Sequence, residues 1–144
     1  MAVTFKVDIA RRLADAVTKV FLVLHLAPNG YYLLTTIGRK SGMPRSTPVT
    51  LIEDESQRWL VSPYGKVSWV YNARASGRVT LTRNGKSESL AIRECSAVEA
   101  ASVLRKYVIN VPVTRPYFDV GVDSSEEAYI AEAPKHPVFE LLPI

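Results

Sequence analysis

The sequence predicts an α+β fold, with a small antiparallel β-barrel of five to six short strands and helices at its ends and between its strands. Short aromatic and β-branched segments alternate with turn-forming residues, which is typical of strands joined by hairpins. The chain has 144 residues, of which 47% are hydrophobic and 22% charged. A chain of this length and composition folds as one domain, spanning residues 1–144, and buries a core without disulfides or metals.

The first predicted element is an amphipathic helix over residues 8–26, within an N-terminal segment of residues 1–27. Pro28, Asn29 and Gly30 end it. The helix either packs its apolar face on the domain or lies on a membrane surface with its cations near lipid phosphates. Its apolar run over residues 20–26 is too short to span a bilayer. The apolar residues at helical spacing are Ile9, Leu13, Val17 and Leu24.

Strands follow over residues 31–37, 46–53 and 58–62, with residues 54–57 as a turn. The clearest hairpin covers residues 78–94. Its turn is Asn84-Gly85, the strongest two-residue hairpin signal, because both residues tolerate positive φ. A last strand is predicted over residues 138–142.

The second half of the chain predicts two helices. Ser96 and Glu99 have the spacing of a capping box, so a helix begins there and runs to about Tyr107. Prolines make residues 110–122 irregular, and a short helix then begins near Ser124 and Ser125 and ends at Pro134. The residues of the first helix predicted to be buried are Val98, Ala101, Val103 and Leu104.

The net charge, the cysteine and histidine content and the absence of one motif limit the classes of function that the sequence supports. The net charge of +4 and the pI near 9.3 favour anionic ligands mildly. Nucleic-acid binding is disfavoured because no platform of interleaved aromatic and basic residues is present. The single cysteine, Cys95, excludes an internal disulfide and favours the cytoplasm. With two histidines far apart, His25 and His136, no metal-ligand spacing appears, and no Gly-x-Ser-x-Gly hydrolase elbow is present.

The most informative segment is residues 38–48, Gly-Arg-Lys-Ser-Gly-Met-Pro-Arg-Ser-Thr-Pro. It places Arg39, Lys40 and Arg45 on a tight turn between two strands, with Ser41, Ser46 and Thr47 as neutral donors beside them. Such a loop suits a phosphate or several carboxylates. It lacks the spacing of a nucleotide P-loop. The same composition is also typical of a solvent-exposed hairpin tip with no ligand.

A second group of residues follows at 62–72. Ser62, Tyr64 and Gly65 leave a strand where backbone N–H groups lack ladder partners and can bond the carbonyls of a flat heterocycle. Trp69 offers an aromatic wall, and Asn72 offers two amide donors. The alternative is that Trp69 belongs to the core and Asn72 caps a turn.

These motifs carry a family resemblance. Residues 38–48 resemble the signature of the deazaflavin-dependent nitroreductases, which are split β-barrel proteins of the flavin-reductase and PNP-oxidase-like type. Members use coenzyme F-420 and occur largely in actinobacteria. Residues 62–65 and 69–72 resemble the cofactor loop and the Trp-x-x-Asn element of that family. The similarity covers residues 31–142, but the loop before Trp69 is contracted to residues 64–68.

The resemblance implies a function and a set of site residues. The implied reaction is hydride transfer from reduced coenzyme F-420 to an electron-poor acceptor, such as a quinone, a nitroaromatic or an activated alkene. The basic loop would bind the phosphate and polyglutamate tail, while residues 48–50 and 62–72 would surround the ring. The implied cofactor-binding residues are Arg39, Lys40, Ser41, Gly42, Arg45, Pro48, Thr50, Ser62, Tyr64, Gly65, Trp69 and Asn72.

Several alternatives stay open at this stage. Tyr117, on a proline-flanked segment that could cover the pocket, is the candidate proton donor, or it only shapes the acceptor site, since tyrosine is a weak acid. An FMN-binding split barrel and a non-enzymatic carrier, for example of a fatty acid, are competing functions. A homodimer and peripheral membrane contact through the N-terminal helix are further expectations, the latter because quinones reside in membranes.

Overall fold

Six antiparallel strands close into one barrel in the order β1-β2-β3-β6-β5-β4. The structure is a computed structural model that describes residues 30–144, so the predicted N-terminal helix lies outside the described residues. β1 and β4 close the barrel by pairing from Leu33↔Thr82 to Thr35↔Thr80. The strands are β1 (Tyr31–Ile37), β2 (Pro44–Glu53), β3 (Arg58–Val61), β4 (Arg78–Arg83), β5 (Lys86–Glu94) and β6 (Val138–Pro143).

The predicted hairpin between β4 and β5 is confirmed. Asn84 and Gly85 both have positive φ, 53° and 72°, and Arg83 pairs with Lys86 across the turn. This is the backbone that matches the twist of the flanking strands, so two residues fix the register of the whole hairpin. The strands predicted over residues 31–37, 46–53, 58–62 and 138–142 are also confirmed within two residues at each end.

Within residues 30–144, three α-helices and two 3₁₀ helices connect the strands. Helix α1 (Ser68–Ser76) joins β3 to β4. Between β5 and β6 the chain forms α2 (Ala97–Asn110), a 3₁₀ helix (Pro112–Tyr117), α3 (Glu126–Glu132) and a second 3₁₀ helix (Ala133–Lys135). Residues 112–117, predicted to be irregular, are therefore helical. Pro112 is compatible with this short helix because it lies at the N-terminus, where no intrahelical N–H bond is needed, and Pro116 lies inside the helix, one residue before its end.

Helix α2 confirms one prediction and corrects two others. Ser96 and Glu99 form the capping box. The helix extends three residues past Tyr107 because the Arg115 guanidinium donates to the Val108 and Ile109 carbonyls, at 2.7 Å and 3.1 Å. The prediction that Val98 is buried is wrong, because its side chain is 64% exposed. It lies on the face opposite the buried stripe of Ala100, Ala101, Val103, Leu104, Tyr107 and Val108.

The core has two parts on either side of the barrel wall. Inside the barrel, strand residues pack with Val70 and Ala73 of α1, which closes one barrel end. Outside, Ile52, Val61 and Val138 pack against α2 and the segments that follow it. Within residues 30–144, no helix is long and apolar enough to cross a membrane. Because side chains fill the inside of this barrel, we expect a ligand site on its outer surface.

The capping box makes stability depend on pH. Hydrogen bonds from Arg93, and then from Ser96, lower the pKa of Glu99 from near 4.5 to about 2. Because the folded-state pKa is the lower one, this stabilisation is present above the unfolded value and is lost as pH falls toward about 2. Glu99→Gln keeps an acceptor for Ser96 but lacks the charge, so we expect the melting-temperature gap from wild type to shrink between neutral pH and about pH 2. A gap that stays constant over that range would contradict the assignment.

Candidate functional site

The barrel wall is incomplete beside β2. This strand has ten residues and β3 has four, so their ladder contains only the pairs from Leu51↔Leu60 to Glu53↔Arg58. Within the described residues, the 44–50 part of β2 therefore pairs with a strand on one side only. The chain leaves β3 at Ser62 and turns into α1. We call the surface formed by residues 38–50 and 62–68 the candidate site.

The loop between β1 and β2 is closed by its own backbone. Gly38 N donates to Met43 O and Gly42 N donates to Gly38 O, both at 2.8 Å. The Ser41 hydroxyl oxygen accepts from Met43 N at 3.1 Å. Gly42 has φ of 70°, and a Cβ on Gly38 would lie 2.5 Å from the Ser41 hydroxyl oxygen. These contacts explain why the loop needs glycine at both positions.

Arg39 is directed back toward the protein and contacts α1. Its backbone N and its Nη1 both donate to Asn72 Oδ1, at 3.1 Å and 2.9 Å. Asn72 is 3% exposed, and its Nδ2 donates to the Thr36 hydroxyl at 3.4 Å. The Arg39 guanidinium also lies 5.2 Å above the Tyr71 ring and 3.5 Å from the Ser68 carbonyl. The side chains of Arg39 and Asn72 thus bond each other, and the expectation that both contact a cofactor stays a prediction.

Lys40 on this loop and Arg45 at the start of β2 are both exposed. Within the described residues, neither has a hydrogen-bond or ion-pair partner. The Arg45 backbone is opposite Thr36, which places it near the same end of the barrel as α1. Sequence reasoning assigned no role to Lys66, although it follows Gly65 directly and is equally exposed. Its position in the contracted loop was the signal that could have identified it.

The start of α1 adds to this positive region. Val67 is its N-cap and makes no side-chain cap, and the first turn contains no acidic residue. The positive end of a helix dipole is therefore not neutralised by a side chain of the helix itself. We call residues 38–45 the basic loop. Because Arg39 reaches the Ser68 carbonyl, the basic loop and the start of α1 are adjacent.

Pro48 and Thr50 lie on the outer face of the barrel. Leu51 belongs to the interior cluster and Ile52 to the outer cluster. Because side chains alternate along a strand, Pro48 and Thr50 share the face of Ile52. That face leads from the helical layer, which includes Tyr117, toward the basic loop. The structure thus places the two residues between the cationic region and Tyr117.

The turn after β3 satisfies its own polar groups. Ser62 is fully buried, and its hydroxyl donates to the Gly65 carbonyl. Ser62 N donates to Pro137 O at 2.9 Å, and Gly65 N donates to Ser62 O at 3.4 Å. The expectation that these N–H groups lack partners is therefore wrong, because the turn folds back on itself and on β6. A ligand could reach only the groups of this turn that face outward.

Aromatic rings pack on both sides of the segment that runs from the 62–65 turn into α1. The Tyr64 ring meets the Tyr117 ring edge to face, with centroids 4.8 Å apart and an interplanar angle of 80°. Trp69 packs 5.9 Å from Phe139 of the barrel interior and is partly buried. The structure therefore brings Tyr117 beside the predicted cofactor turn, while Trp69 supports the start of α1 from the barrel side.

A buried acid–base pair lies behind this turn and was not identified from the sequence. Glu132 and His136 are each 3% exposed, and His136 Nε2 is 2.8 Å from Glu132 Oε2. The His136 Nδ1 is 2.8 Å from the Pro63 carbonyl oxygen. The spacing of four residues was the available signal. Within residues 30–144, no group of three His, Cys, Asp or Glu side chains is arranged to hold a metal ion.

The fold defines the class of protein as a six-stranded antiparallel barrel similar to the pyridoxamine-phosphate-oxidase-like barrels. A putative pyridoxamine 5'-phosphate oxidase from Listeria innocua is 11% identical with a TM-score of 0.50, covering 90% of this chain and 94% of its own. A solved structure described as a domain-swapped dimer is 22% identical with a TM-score of 0.58, covering 92% and 96%. An F420-H2 dependent reductase (FDR-A) is 24% identical with a TM-score of 0.51, covering 78% and 94%.

The sequence profile of the F420H(2)-dependent quinone reductases matches residues 8–123, which is most of the chain. The chain belongs to this family, and it is an oxidoreductase that uses coenzyme F-420 to reduce an electron-poor acceptor. No curated protein sequence matches the chain significantly. The resemblance inferred from the motifs is thus confirmed at the level of family, cofactor and reaction.

Proposed function

We propose that the candidate site binds the anionic tail of coenzyme F-420 through Lys40 and Arg45, and that Lys66 adds a third cation. The observation that carries this proposal is that the three cations of residues 38–48 differ in their contacts. Arg39 is bonded to Asn72, which holds the loop in place, whereas Lys40 and Arg45 are exposed and lack partners within the described residues. Exposed cations on a fixed backbone fit a phosphate and a chain of carboxylates. The Ser41 hydroxyl oxygen accepts from Met43 N, so its hydrogen can serve as a neutral donor beside them, whereas the Gly42 N–H is already bonded to Gly38 O.

The ring is proposed to lie along the outer face of β2. Pro48 and Thr50 would form its floor, and the outward side of Tyr64 and Gly65 its edge. Ser62 and Trp69 would act indirectly, Ser62 by closing the turn and Trp69 by supporting the start of α1. When bound, the reduced cofactor supplies the hydride, and the protein's residues orient it and exclude water. The acceptor, for which a quinone fits the family, would enter on the Tyr117 side.

The role of Tyr117 is tested by paired substitutions. We expect Tyr117→Phe to keep kcat within about tenfold of wild type, because the edge-to-face contact with Tyr64 needs only the ring. Tyr117→Ala should raise KM for the acceptor, since it removes that wall. Steady-state kinetics with a soluble quinone measures both. A general acid contributes about 10²–10⁴-fold, so a loss of that size in Tyr117→Phe would assign the proton donor to its hydroxyl.

The cofactor proposal is tested by titrating the protein with coenzyme F-420 and with FMN, following tryptophan fluorescence. We expect quenching by coenzyme F-420 at roughly micromolar concentrations and at least tenfold weaker binding of FMN, which has one phosphate and no polyglutamate tail. Affinity for FMN should also respond less to Arg45→Ala. Equal affinities would contradict the assignment of the basic loop to the tail. Binding of neither cofactor would favour a carrier function.

The carrier alternative receives little support from the described barrel. Its interior is filled by side chains that are almost fully buried, including Leu34, Leu60, Leu81 and Phe139. An acyl chain would therefore need a different groove.

We further propose that the chain forms a homodimer, which is supported by the domain-swapped dimer among the similar structures. Mass determination by light scattering tests this.

Membrane contact through residues 1–27 and a cytoplasmic location are retained as proposals. The first is supported by the amphipathic pattern of that segment, and the second by the single cysteine. Flotation with liposomes, comparing the full chain with a variant lacking residues 1–27, tests the first proposal. Equal flotation of both proteins would contradict it.

A further inference from the structure

The buried pair of Glu132 and His136 has no role in the proposed cofactor contacts, yet it bonds both the 62–65 turn of the candidate site and the segment that carries Tyr117. On one side, His136 Nδ1 is 2.8 Å from the carbonyl oxygen of Pro63, the residue before Tyr64. On the other side, Glu132 Oε2 accepts from the backbone N of Asp119 at 3.1 Å, two residues after Tyr117. The pair itself is joined at 2.8 Å between His136 Nε2 and Glu132 Oε2.

Hydrogen bonds hold the pair at every polar atom. The Pro63 carbonyl can only accept, so His136 Nδ1 donates to it. His136 Nε2 and Glu132 Oε2 share a hydrogen bond. Glu132 also accepts from Asp119 N through Oε2 and from Lys135 Nζ through Oε1, the latter at 3.2 Å. Both ring nitrogens and both carboxyl oxygens are therefore bonded, so neither side chain can rotate without breaking a contact.

Neighbouring groups reinforce this arrangement. The Phe118 ring stacks on the His136 ring, with centroids 4.0 Å apart and an interplanar angle of 20°. Lys135 bridges Glu132 to the side chain of Asp119, at 2.8 Å from Asp119 Oδ2. The carbonyl of Lys135 also lies 3.4 Å from where a Cβ on Gly65 would be, so the turn rests on this segment. The pair, the 62–65 turn and residues 117–119 thus form one packed unit.

We propose that Glu132 and His136 are positioning residues that set the 62–65 turn and the Tyr117 segment at a fixed separation. This inference rests on the proposed placement of the cofactor ring beside Tyr64 and Gly65. Hydrogen bonds in a buried environment are strong and directional. A single buried pair that bonds both walls would preorganise the gap between cofactor and acceptor, where small displacements cost large factors in rate.

Two substitutions of His136 separate its two contacts. Asparagine places an amide N near the position of Nδ1, so His136→Asn keeps a donor for Pro63 and loses the contact with Glu132. Glutamine reaches the position of Nε2, so His136→Gln keeps the donor for Glu132 and loses the contact with Pro63. We expect His136→Gln to weaken coenzyme F-420 binding roughly tenfold, and His136→Asn to change it by less than about threefold.

Kinetics give a second readout that a purely structural role would not change. With saturating cofactor, we expect His136→Asn to lower kcat by about tenfold or more while KM for the acceptor changes little, because the Tyr117 segment loses its link to the turn. Ser96→Ala serves as the control, since it removes the α2 cap and lowers the melting temperature without touching the site. It should leave the dissociation constant and kcat unchanged.

The outcomes distinguish this inference from the cofactor proposal. If His136→Asn and His136→Gln lower the melting temperature but bind and turn over like Ser96→Ala, the positioning role is overturned. If Lys40→Ala and Arg45→Ala leave cofactor affinity unchanged, the proposed site fails instead. Should both His136 variants fail to fold, hydrogen–deuterium exchange of the wild-type protein decides. Slow exchange of the Asp119 backbone N–H, which donates to Glu132, supports the link between the pair and the Tyr117 segment, and exchange as fast as that of an exposed amide overturns it.

Discussion

Replacing both Lys40 and Arg45 with alanine is expected to weaken coenzyme F-420 binding by on the order of 10²-fold or more. A hydrogen bond to a charged group contributes about 1.5–3 kcal/mol, and two such groups are removed. The estimate takes the lower end of this range because both side chains are exposed and solvent screens them. The loop itself should persist, because its closure depends on backbone bonds and on Arg39. Fluorescence titration of the double variant measures the effect.

A matched control separates local contacts from overall charge. Arg78 and Lys86 are exposed cations outside the candidate site, so the Arg78→Ala, Lys86→Ala double variant loses the same net charge. We expect its affinity to remain within about threefold of wild type. The loop variant should also show a flatter dependence of affinity on salt, because fewer ion contacts are screened. Equal losses in both double variants would assign the effect to long-range charge and contradict the basic-loop site.

The second large effect is expected for Asn72→Ala, which changes no charge. The substitution removes the acceptor of two Arg39 bonds and the donor to Thr36, all at a nearly fully buried position. Leaving buried groups unsatisfied costs about 1–3 kcal/mol. We expect the free energy of unfolding to fall by about 2–3 kcal/mol and cofactor affinity to fall roughly tenfold, because the loop is no longer held to α1. Denaturant unfolding and titration measure the two quantities.

Asn72→Asp provides the matched comparison. Aspartate keeps both acceptor contacts with Arg39 and can accept from the Thr36 hydroxyl, so the loop should stay closed and stability should recover most of the loss. Affinity should recover only partly, because a negative charge then lies near the site of a polyanion. If Asn72→Ala binds coenzyme F-420 as tightly as wild type, the link from Asn72 to the basic loop has no part in binding.

The elements that sequence reasoning predicted well have local causes. The Asn84-Gly85 turn and the capping box of Ser96 and Glu99 are each set by residues at most three positions apart. Val98 was misassigned because helical spacing alone does not say which face of α2 meets the barrel, and that face is chosen by tertiary packing. The six-stranded closure likewise depends on the pairing of β1 with β4, which lie far apart in the chain.

The candidate site likewise combines features set by neighbouring residues with contacts between residues far apart in the chain. Its cationic loop was predicted because the motif is contiguous, whereas the contact of Tyr117 with Tyr64 was not predicted, and the role of Tyr117 stays a prediction. The partnership of Arg39 with Asn72 spans 33 residues, and that of His136 with Pro63 spans 73 residues. No local pattern predicts such contacts. Composition showed that these groups were polar, but only the fold shows which of them are buried and therefore bonded internally.

The most direct test of the account is a crystal structure of the protein with coenzyme F-420 bound. The account predicts that the tail follows the loop past Lys40 and Arg45, with the ring between Thr50 and the turn at Tyr64 and Gly65. It also predicts that Arg39 still bonds Asn72 in the complex. A tail that lies elsewhere, or an Arg39 that leaves Asn72 to grip the cofactor while Lys40 and Arg45 stay in solvent, would contradict it.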